Sequence, residues 1–565
     1  HIQNYPMKRK IHQAKWPFLT VGAICFLLLG FTLGRNVGEI TPATIDSAAD
    51  LIGLSFSNSE KDSMLTNLNN QRSNLENLRK IKLENSVAPA LIFNPLPQGF
   101  FPDQTQKSWD WGLPKTVELP EKENDIAYMP VHQLAVLIQT KKLSSERLTR
   151  IYLDRIKTYS DTLQCLITLL EEPVLQKARQ MDLELAAGNY RGVLHGIPFG
   201  IKDLLAVPGT KTTWGAMPFK DQVIDETATV VQKLEDAGAI LVGKFTLGAL
   251  AMGDIWYGGV TKNPWNLKQG SSGSSAGSAS AVSAGLVPFA IGTETLGSIV
   301  SPSTRNGVTG LRPTFGRVSK HGAMALSWSM DKIGPISRST LDNAIVLATI
   351  NGADPKDPST IPAAFNYSAK NDVKSLKIGY FQSFFEGDRP GIENDKAVLE
   401  VLKNQGIELH PLELKTSINP APIVSMLMVE GAAAFDELTR LNLDDQLVAQ
   451  GRNAWPNLFR SARFIPAVEY VQMSRQRSLL IQEIHELIKE YDVIVTPSFA
   501  GQQLQITNLT GHPALCLPNG FGNNGSPTSI TLLANLFEEE KLIMLGRLIQ
   551  ENTDWQAKRP PLFDQ

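Results

Sequence analysis

The sequence has little cysteine, no excess of charge of either sign, and no motif typical of a metal or nucleotide site. Its 565 residues include only Cys25, Cys165 and Cys516, too few and too widely spaced for a disulfide framework or a zinc cluster. The formal net charge is −2 and basic residues are scattered, so we expect no nucleic-acid surface. No H-E-x-x-H, phosphate-loop or dinucleotide motif is present, and we therefore expect neither a metal nor an organic cofactor.

One long apolar run lies near the N-terminus. Met7-Lys-Arg-Lys10 precedes residues 16–34, which are apolar apart from two threonines. A basic flank before about 18 apolar residues predicts a signal-anchor or a signal peptide over residues 1–36, with a buried N-terminal helix as the alternative. Because the basic end stays in the cytoplasm, we expect export to the periplasm or anchoring in a bacterial inner membrane. The sequence leaves cleavage of this segment open.

The rest of the chain predicts an appendage followed by one large α/β domain. Residues 37–126 are expected to form a tether, an amphipathic helix over residues 60–84, and an extended proline-rich arm over residues 92–125 that wraps the main body. The main domain is expected over residues 127–565. Within it, apolar runs predict strands at 197–201, 239–242, 376–380 and 493–497. Helices are predicted from Ser144 or Ser145 and over 229–237. Lower glycine content predicts a helical lobe over 355–480.

Two stretches are unusually rich in small residues, Gly270-Ser-Ser-Gly-Ser-Ser-Ala-Gly-Ser-Ala-Ser-Ala-Val282 and Gly292-Thr-Glu-Thr-Leu-Gly-Ser-Ile299. Small residues let the backbone approach a ligand and turn its N–H groups inward, and hydroxyl groups in such loops can act as nucleophiles. Upstream, Lys202 lies in an apolar run where its charge would be costly. Burial lowers the pKa of a lysine, so this amine could act as a base near neutral pH. Two serines and this lysine are plausible parts of a hydrolase site without histidine.

These motifs together resemble the amidase signature family over roughly residues 127–555. The resemblance rests on several segments in the family's order: Gly200-Ile-Lys-Asp203, Asn263-Pro-Trp-Asn266, Gly273-Ser-Ser-Ala-Gly-Ser278, Gly292-Thr-Glu-Thr-Leu-Gly-Ser-Ile299, Gly307-Val-Thr-Gly-Leu-Arg-Pro-Thr-Phe-Gly-Arg317, Asp492-Val-Ile-Val-Thr-Pro497 and Asn508-Leu-Thr-Gly-His-Pro513. It implies an α/β fold with a large mixed, mostly parallel sheet covered by helices on both faces.

The resemblance also implies a Ser–cis-Ser–Lys triad. Matched by motif, Ser298 would be the nucleophile, Ser274 would follow a cis peptide bond and pass protons, and Lys202 would be the buried base. The backbone N–H groups of Thr295, Leu296, Gly297 and Ser298 would form the oxyanion hole. Four positions depart from the family pattern without touching the triad and leave the substrate open, Leu296, Ala276, Val300 and Asn306.

The expected function is hydrolysis of a carboxamide, on a small molecule or a peptide, to a carboxylic acid plus ammonia or an amine. Three alternatives remain. The first is an α/β-hydrolase with Ser275 as an elbow nucleophile, although Asn263 to Gly270 predicts a loop where that motif needs a strand, and His485 and His512 have no suitable setting. The second is the amidase-like subunit of a tRNA-dependent glutamine amidotransferase, which the export signal opposes. The third is a membrane-tethered binding protein on an inactive scaffold.

Overall fold

The structure, a computed structural model, describes residues 39–564. The predicted signal segment over residues 1–36 lies outside that range. The chain divides between Lys82 and Leu83 into two compact units. Between residues 39 and 564, no helix combines the length and the apolar character needed to cross a membrane. The domain boundaries expected at residues 36 and 126 stay predictions.

The first unit contains two helices, α1 (Pro42–Leu51) and α2 (Asn58–Leu78). A reciprocal cap begins α2: the Ser57 hydroxyl accepts from the Glu60 N–H at 3.4 Å, and the Glu60 carboxylate accepts from the Ser57 N–H at 2.7 Å. Lys61 joins the helices through an ion pair with Asp46 at 2.9 Å. A helix is therefore present where an amphipathic one was expected over residues 60–84, but it begins and ends earlier than predicted, and Leu75 and Leu78 near its end are exposed.

The second unit contains the remaining helices and all strands of the described range. The helices are α3 (Glu123–Ala127), α4 (Val131–Gln139), α5 (Ser145–Leu163), α6 (Glu172–Ala186), α7 (Thr229–Asp236), α8 (Ala276–Ser283), α9 (Val300–Asn306), α10 (Thr340–Ile350), α11 (Ile392–Asn404), α12 (Pro420–Ile423), α13 (Ser425–Ala434), α14 (Asp436–Arg440), α15 (Trp455–Ala462), α16 (Ala467–Ile488), α17 (Gln503–Thr510) and α18 (Glu539–Glu551). The strands are β1 (Leu166–Leu169), β2 (Pro198–Lys202), β3 (Ile240–Phe245), β4 (Ile255–Trp256), β5 (Gly259–Val260), β6 (Lys262–Asn263), β7 (Asn266–Gly270), β8 (Phe289–Glu294), β9 (Thr309–Arg312), β10 (Lys332–Ser337), β11 (Ile378–Phe381), β12 (Leu409–Leu412), β13 (Val493–Pro497), β14 (Ala514–Phe521) and β15 (Pro527–Ala534).

The α/β fold with one large mixed sheet is confirmed. Across residues 39–564 this sheet has 11 strands in the order β1-β3-β2-β8-β10-β9-β14-β15-β13-β11-β12. The expectation that it is mostly parallel is wrong, because only β2–β3, β2–β8, β11–β12 and β11–β13 pair in parallel. A parallel pair needs a long crossover, usually a helix, such as α7 between β2 and β3. The short turn after β14 instead returns the chain antiparallel as β15.

Both faces of the sheet around β3 are buried. Successive side chains of a strand point to opposite faces. Accordingly, Leu241 packs in one apolar cluster with Phe199 and Ile291, whereas its neighbours Ile240 and Val242 pack in a second cluster. A polar side chain at the end of such a strand therefore lies deep in the molecule, which is the position of Lys202 at the carboxyl end of β2.

Most predicted elements lie where the sequence placed them. The Ser144 hydroxyl accepts from the Arg147 N–H at 3.1 Å and begins α5, as predicted. The strands and the helix expected in the main domain correspond to β2, β3, β11, β13 and α7 within a few residues. The segment Asn263 to Gly270 is an exception. The sequence predicts a loop for it, but β6 and β7 form a small hairpin there, because Pro264 and Trp265 supply a two-residue turn.

The proline-rich segment lies along the main body of the second unit without regular secondary structure over most of its length. Gln106 pairs with the backbone of Phe365, and the Trp109 indole donates to the Phe365 carbonyl at 2.7 Å. Near the start of the segment, Phe93 packs edge-on against Phe315 and lies beneath the Arg477 guanidinium. Residues 83–111, which begin before the predicted arm of residues 92–125 and are called the arm from here on, therefore dock on the body through side-chain contacts.

Candidate functional site

The site begins with Lys202, the last residue of β2. Its side chain is completely buried, and its Nζ lies 2.7 Å from Ser274 Oγ, 3.2 Å from Ser275 Oγ and 2.7 Å from Thr293 Oγ1. Thr293 lies near the end of β8, which runs parallel to β2. Ligand sites in α/β proteins form at the carboxyl ends of such strands. The structure therefore brings Lys202 and Ser274 together at a position typical of an active site.

Small residues allow the serine loop to reach the sheet. The Gly273–Ser274 peptide bond is cis. A Cβ atom on Gly273 would lie 1.9 Å from the Gly253 carbonyl oxygen, and one on Gly292 would lie 2.8 Å from Ser275 Oγ. Neither distance is sterically possible without movement, so both positions require glycine. The loop is anchored further by Asn306, whose amide donates to the Ser271 carbonyl at 2.9 Å.

Burial sets the charge state of Lys202. It lowers the pKa of the amine to about 7, although the carboxylates of Asp331 and Glu294 act in the opposite direction. The groups in direct contact with Nζ are neutral oxygens, with no ion pair to repay the burial of an ammonium. Near neutral pH this amine can therefore be uncharged and accept a proton.

Ser275 and Thr293 fix the neighbourhood of the amine. Ser275 Oγ accepts from the Thr293 N–H at 3.1 Å and donates to the Thr293 carbonyl at 3.0 Å. The serine hydroxyl is thus occupied by the backbone of β8. The elbow-nucleophile hypothesis has little support, because Ser275 is completely buried and the strand before it belongs to a small hairpin outside the main sheet. Within residues 39–564, neither His485 nor His512 makes a hydrogen bond to a serine of this site.

Ser298 lies on the second small-residue loop, just before α9. The Ser275 N–H donates to the Ser298 carbonyl at 3.2 Å and joins the two loops. The Ser298 side chain is about 9% exposed, and its hydroxyl makes no hydrogen bond to any other described residue. In the same range, the N–H groups of residues 295–298 also donate to no protein atom. A free hydroxyl therefore lies beside four free backbone donors.

Glu294 holds this loop in shape. One carboxylate oxygen accepts from the N–H groups of Ile299 and Val300 at 2.8 and 3.0 Å, and the other accepts from Arg312 at 2.8 Å and Asn508 at 2.9 Å. Burial alone would raise the pKa of Glu294, but the Arg312 charge and these donors lower it to about 2. A permanent carboxylate thus fixes the backbone on the C-terminal side of residues 295–298.

A second carboxylate fixes the other end of the loop. The Thr295 hydroxyl donates to Asp331 at 2.6 Å, and Asp331 also accepts from the N–H groups of Leu326 and Ser327 at 2.8 and 3.0 Å. Thr293, Glu294 and Asp331 are not among the site residues predicted from the sequence. Thr293 and Glu294 lie within the recognised motif Gly292 to Ile299, and a hydroxyl and a carboxylate in that motif were signals available in the sequence. Asp331 has no such signal, because Thr295, through which it acts on the predicted oxyanion loop, lies 36 residues away on a separate loop.

Comparison with known proteins identifies the family. The Amidase family model matches residues 147–543, so the chain belongs to the amidase family. Among curated relatives, a glutamyl-tRNA(Gln) amidotransferase subunit of Moorella thermoacetica is 31% identical over 78% of this chain and 99% of its own length. The protein of the same name from Roseiflexus sp. is 32% identical over 76% and 99%. The solved peptide amidase of Stenotrophomonas maltophilia is 29% identical, with a TM-score of 0.69 over 78% of this chain and 100% of its own.

The buried Glu294–Arg312 pair yields a stability prediction. We expect Arg312→Met to lower the free energy of unfolding by roughly 3–5 kcal/mol, because it leaves a completely buried carboxylate without its cation. Urea unfolding measures the change. Lys403→Met is the matched control: its pair with Glu400 is exposed on both sides, so the change should be about 0.5 kcal/mol or less. Equal effects of the two substitutions would contradict the structural role given to the buried Glu294–Arg312 pair.

Proposed function

We propose that the chain cleaves the C–N bond of a carboxamide through an acyl-enzyme on Ser298, releasing ammonia or an amine and then a carboxylic acid. The single observation that supports this most is the buried Lys202 amine, 2.7 Å from the Ser274 hydroxyl. A base of this kind activates a serine without histidine. Family membership supports chemistry at a carbon–nitrogen bond.

The hydrogen-bond directions around Lys202 define the proton path. A neutral amine has two hydrogens and one lone pair. The Ser275 hydroxyl already donates to the Thr293 carbonyl, so it accepts one amine hydrogen, and Thr293 Oγ1 accepts the other. The lone pair is then left for the Ser274 hydroxyl, whose oxygen lies 2.7 Å from Nζ. Ser274 would in turn take the proton of Ser298, so Ser274 passes protons and Lys202 stores them. Within residues 39–564 the two serine hydroxyls are not hydrogen-bonded to each other, so this step requires them to approach when substrate binds.

The reaction follows from this path. As the Ser298 oxygen bonds to the amide carbon, its proton moves through Ser274 to Lys202. The negative charge on the carbonyl oxygen is held by the N–H groups of residues 295–298, where one donor is worth roughly 3–4 kcal/mol. The proton then returns through Ser274 to the amide nitrogen, and the C–N bond breaks. Water repeats the sequence on the acyl-enzyme and frees the acid.

Two substrate classes fit the same chemistry. The solved peptide amidase supports a free-standing amidase. The names of the curated relatives favour a second candidate, a subunit that releases ammonia from glutamine for a partner in tRNA-dependent amidation, and they support it more strongly than a free-standing enzyme. Ser298, Ser274 and Lys202 would have the same roles in both.

Hydrolysis of an amide panel by the purified full chain tests the proposal. The panel contains glutamine, peptide C-terminal amides, aryl amides and aliphatic amides. Added hydroxylamine should divert the acyl group to a hydroxamate, which reports the acyl-enzyme directly. Glutamine turnover that requires an added partner protein would favour the amidotransferase form. A chain that hydrolyses none and whose Ser298 resists a fluorophosphonate probe would instead be a binding protein on an inactive scaffold.

The cellular location of the chain provides an independent test between a free-standing amidase and an amidotransferase subunit. From residues 1–36 we propose export or anchoring in a bacterial inner membrane. Charged tRNA is a cytoplasmic substrate, so an exported chain could not serve in its amidation. Fractionation of cells expressing the full chain provides the measurement. A chain found wholly in the cytoplasmic fraction would contradict export and strengthen the amidotransferase candidate.

A further inference from the structure

The beginning of the arm contacts a loop beside the site. Asn85 pairs with both backbone groups of Ala325: its Nδ2 donates to the carbonyl at 2.9 Å, and its Oδ1 accepts from the N–H at 2.7 Å. A side-chain amide can bind one residue in both directions because it has a donor and an acceptor side by side. Residues 83–88 precede the family-matched region, which begins at residue 147, so this contact belongs to the part of the chain that lies before the family core.

The same residues line a cavity that reaches the site. Asn85, Ser86 and Ala88 form part of its wall, and Thr293 and Thr295 lie in the same wall. A water-sized sphere can occupy about 90 Å³ of this cavity. Pockets that hold a whole small ligand occupy roughly 300–1,000 Å³, so this narrow cavity takes one group of a substrate rather than all of it. Apolar side chains also line it, Met324, Leu326 and Trp328. It is therefore suited to an apolar substrate group next to the proposed oxyanion loop.

Asn85 is also linked to that loop through a short chain of hydrogen bonds. It fixes Ala325, and the next two residues donate their N–H groups to Asp331. The other oxygen of Asp331 accepts from the Thr295 hydroxyl. Residues 323–327 are thus held between the arm on one side and Asp331 on the other. A change in the arm can alter both the width of the cavity and the position of Thr295.

We propose that Asn85, Ser86 and Ala88 form a wall of the substrate pocket and determine which amides enter it. This inference rests on the proposed function. Ala88 and Ser86 limit the size of the apolar group that fits beside Met324, Leu326 and Trp328. Asn85 is a positioning residue, which holds this wall against residues 323–327.

Three full-chain variants test the proposal. Ala88→Trp fills the cavity from an exposed position, and Asn85→Ala releases the loop. Gln106→Ala is the matched control, since Gln106 makes the same two-way pairing with Phe365, at 2.9 and 3.0 Å, without lining the cavity. Each variant is assayed with a small aliphatic amide and with bulky aryl amides. In parallel, the labelling rate of Ser298 is measured with an ethyl and a bulky-alkyl fluorophosphonate.

We expect Ala88→Trp to lower kcat/KM and labelling for the bulky compounds by roughly tenfold or more, with the small ones changed by less than about twofold. Asn85→Ala should change KM for bulky amides more than kcat, and Gln106→Ala should change neither. If Asn85→Ala and Ala88→Trp keep the wild-type ratio of bulky to small compounds, as Gln106→Ala does, the inference is wrong. If the unchanged chain neither hydrolyses amides nor is labelled, the proposed function fails first and this inference with it.

Discussion

Replacing Ser298 with alanine is expected to lower kcat for amide hydrolysis by roughly a million-fold, the effect of removing a serine nucleophile. The Ser298 hydroxyl is the one in the two loops that makes no hydrogen bond within residues 39–564, although Ser298 is about 9% exposed. Ser275 is occupied by the backbone of Thr293, and Ser274 lies against the Lys202 amine. The measurement is single-turnover and steady-state hydrolysis of the best amide of the panel, with mass spectrometry of the trapped acyl-enzyme.

Ser301→Ala is the control for this variant. Ser301 lies in the first turn of α9, and its hydroxyl is 2.8 Å from the Ser272 hydroxyl. Ser301→Ala removes a serine from the helix that follows Ser298 without touching the proposed proton path, so the rate should stay within a few-fold of that of the unchanged chain. Retention of even a hundredth of the activity by Ser298→Ala would require a different nucleophile.

The second large effect is expected at Lys202. Lys202→Met keeps the length of the side chain and removes the amine, so Ser274 loses its proton acceptor. General acid–base catalysis contributes up to about 10⁴-fold, and we expect a loss of that order in kcat. Because Lys202 has no ion-pair partner, the protein should keep its stability and remain folded. Circular dichroism and thermal unfolding check this alongside the rate.

A second buried lysine provides the contrast. Lys244 on the neighbouring strand is equally buried but forms an ion pair with Asp203 at 3.1 Å. Lys244→Met leaves Asp203 buried without its cation and should destabilise the protein by roughly 3–5 kcal/mol. Comparison of the two substitutions thus separates a loss of catalysis from a loss of stability. A Lys202→Met protein that unfolds as readily as Lys244→Met, or keeps its activity, would contradict the role given to the amine.

Local patterns in the sequence predicted much of the fold. The run 493–497 is β13 with the predicted ends, and the helix expected at 229–237 is α7, one residue shorter. Strand direction could not be predicted in this way. It depends on which strands become neighbours: within the antiparallel stretch from β8 to β13, β9 pairs with β14, so that Arg312 lies opposite the remote residue Ala514.

The candidate site, like the fold, was predictable only where the signal is local in the sequence. Lys202 and Ser274 were found from motifs, and the structure brings them into contact. The carboxylates that hold the loops, Glu294 and Asp331, were missed because their partners are remote: Arg312 is 18 residues from Glu294, and Asn508 is 214 residues away. The contact of Asn85 with Ala325 spans 240 residues and could not be inferred from either segment alone.

The protonation state of one amine is the claim on which the mechanism depends most. Chain labelled with ¹³C at the lysine Cε position can be titrated by NMR, with Lys202→Met identifying the resonance. We predict a pKa of about 7 for Lys202. Below that pH the protonated amine has no lone pair for Ser274, so kcat/KM should fall as the pH decreases through the same value. A pKa near 10.4, the ordinary value for lysine, or a rate unchanged across the titration, would contradict this account.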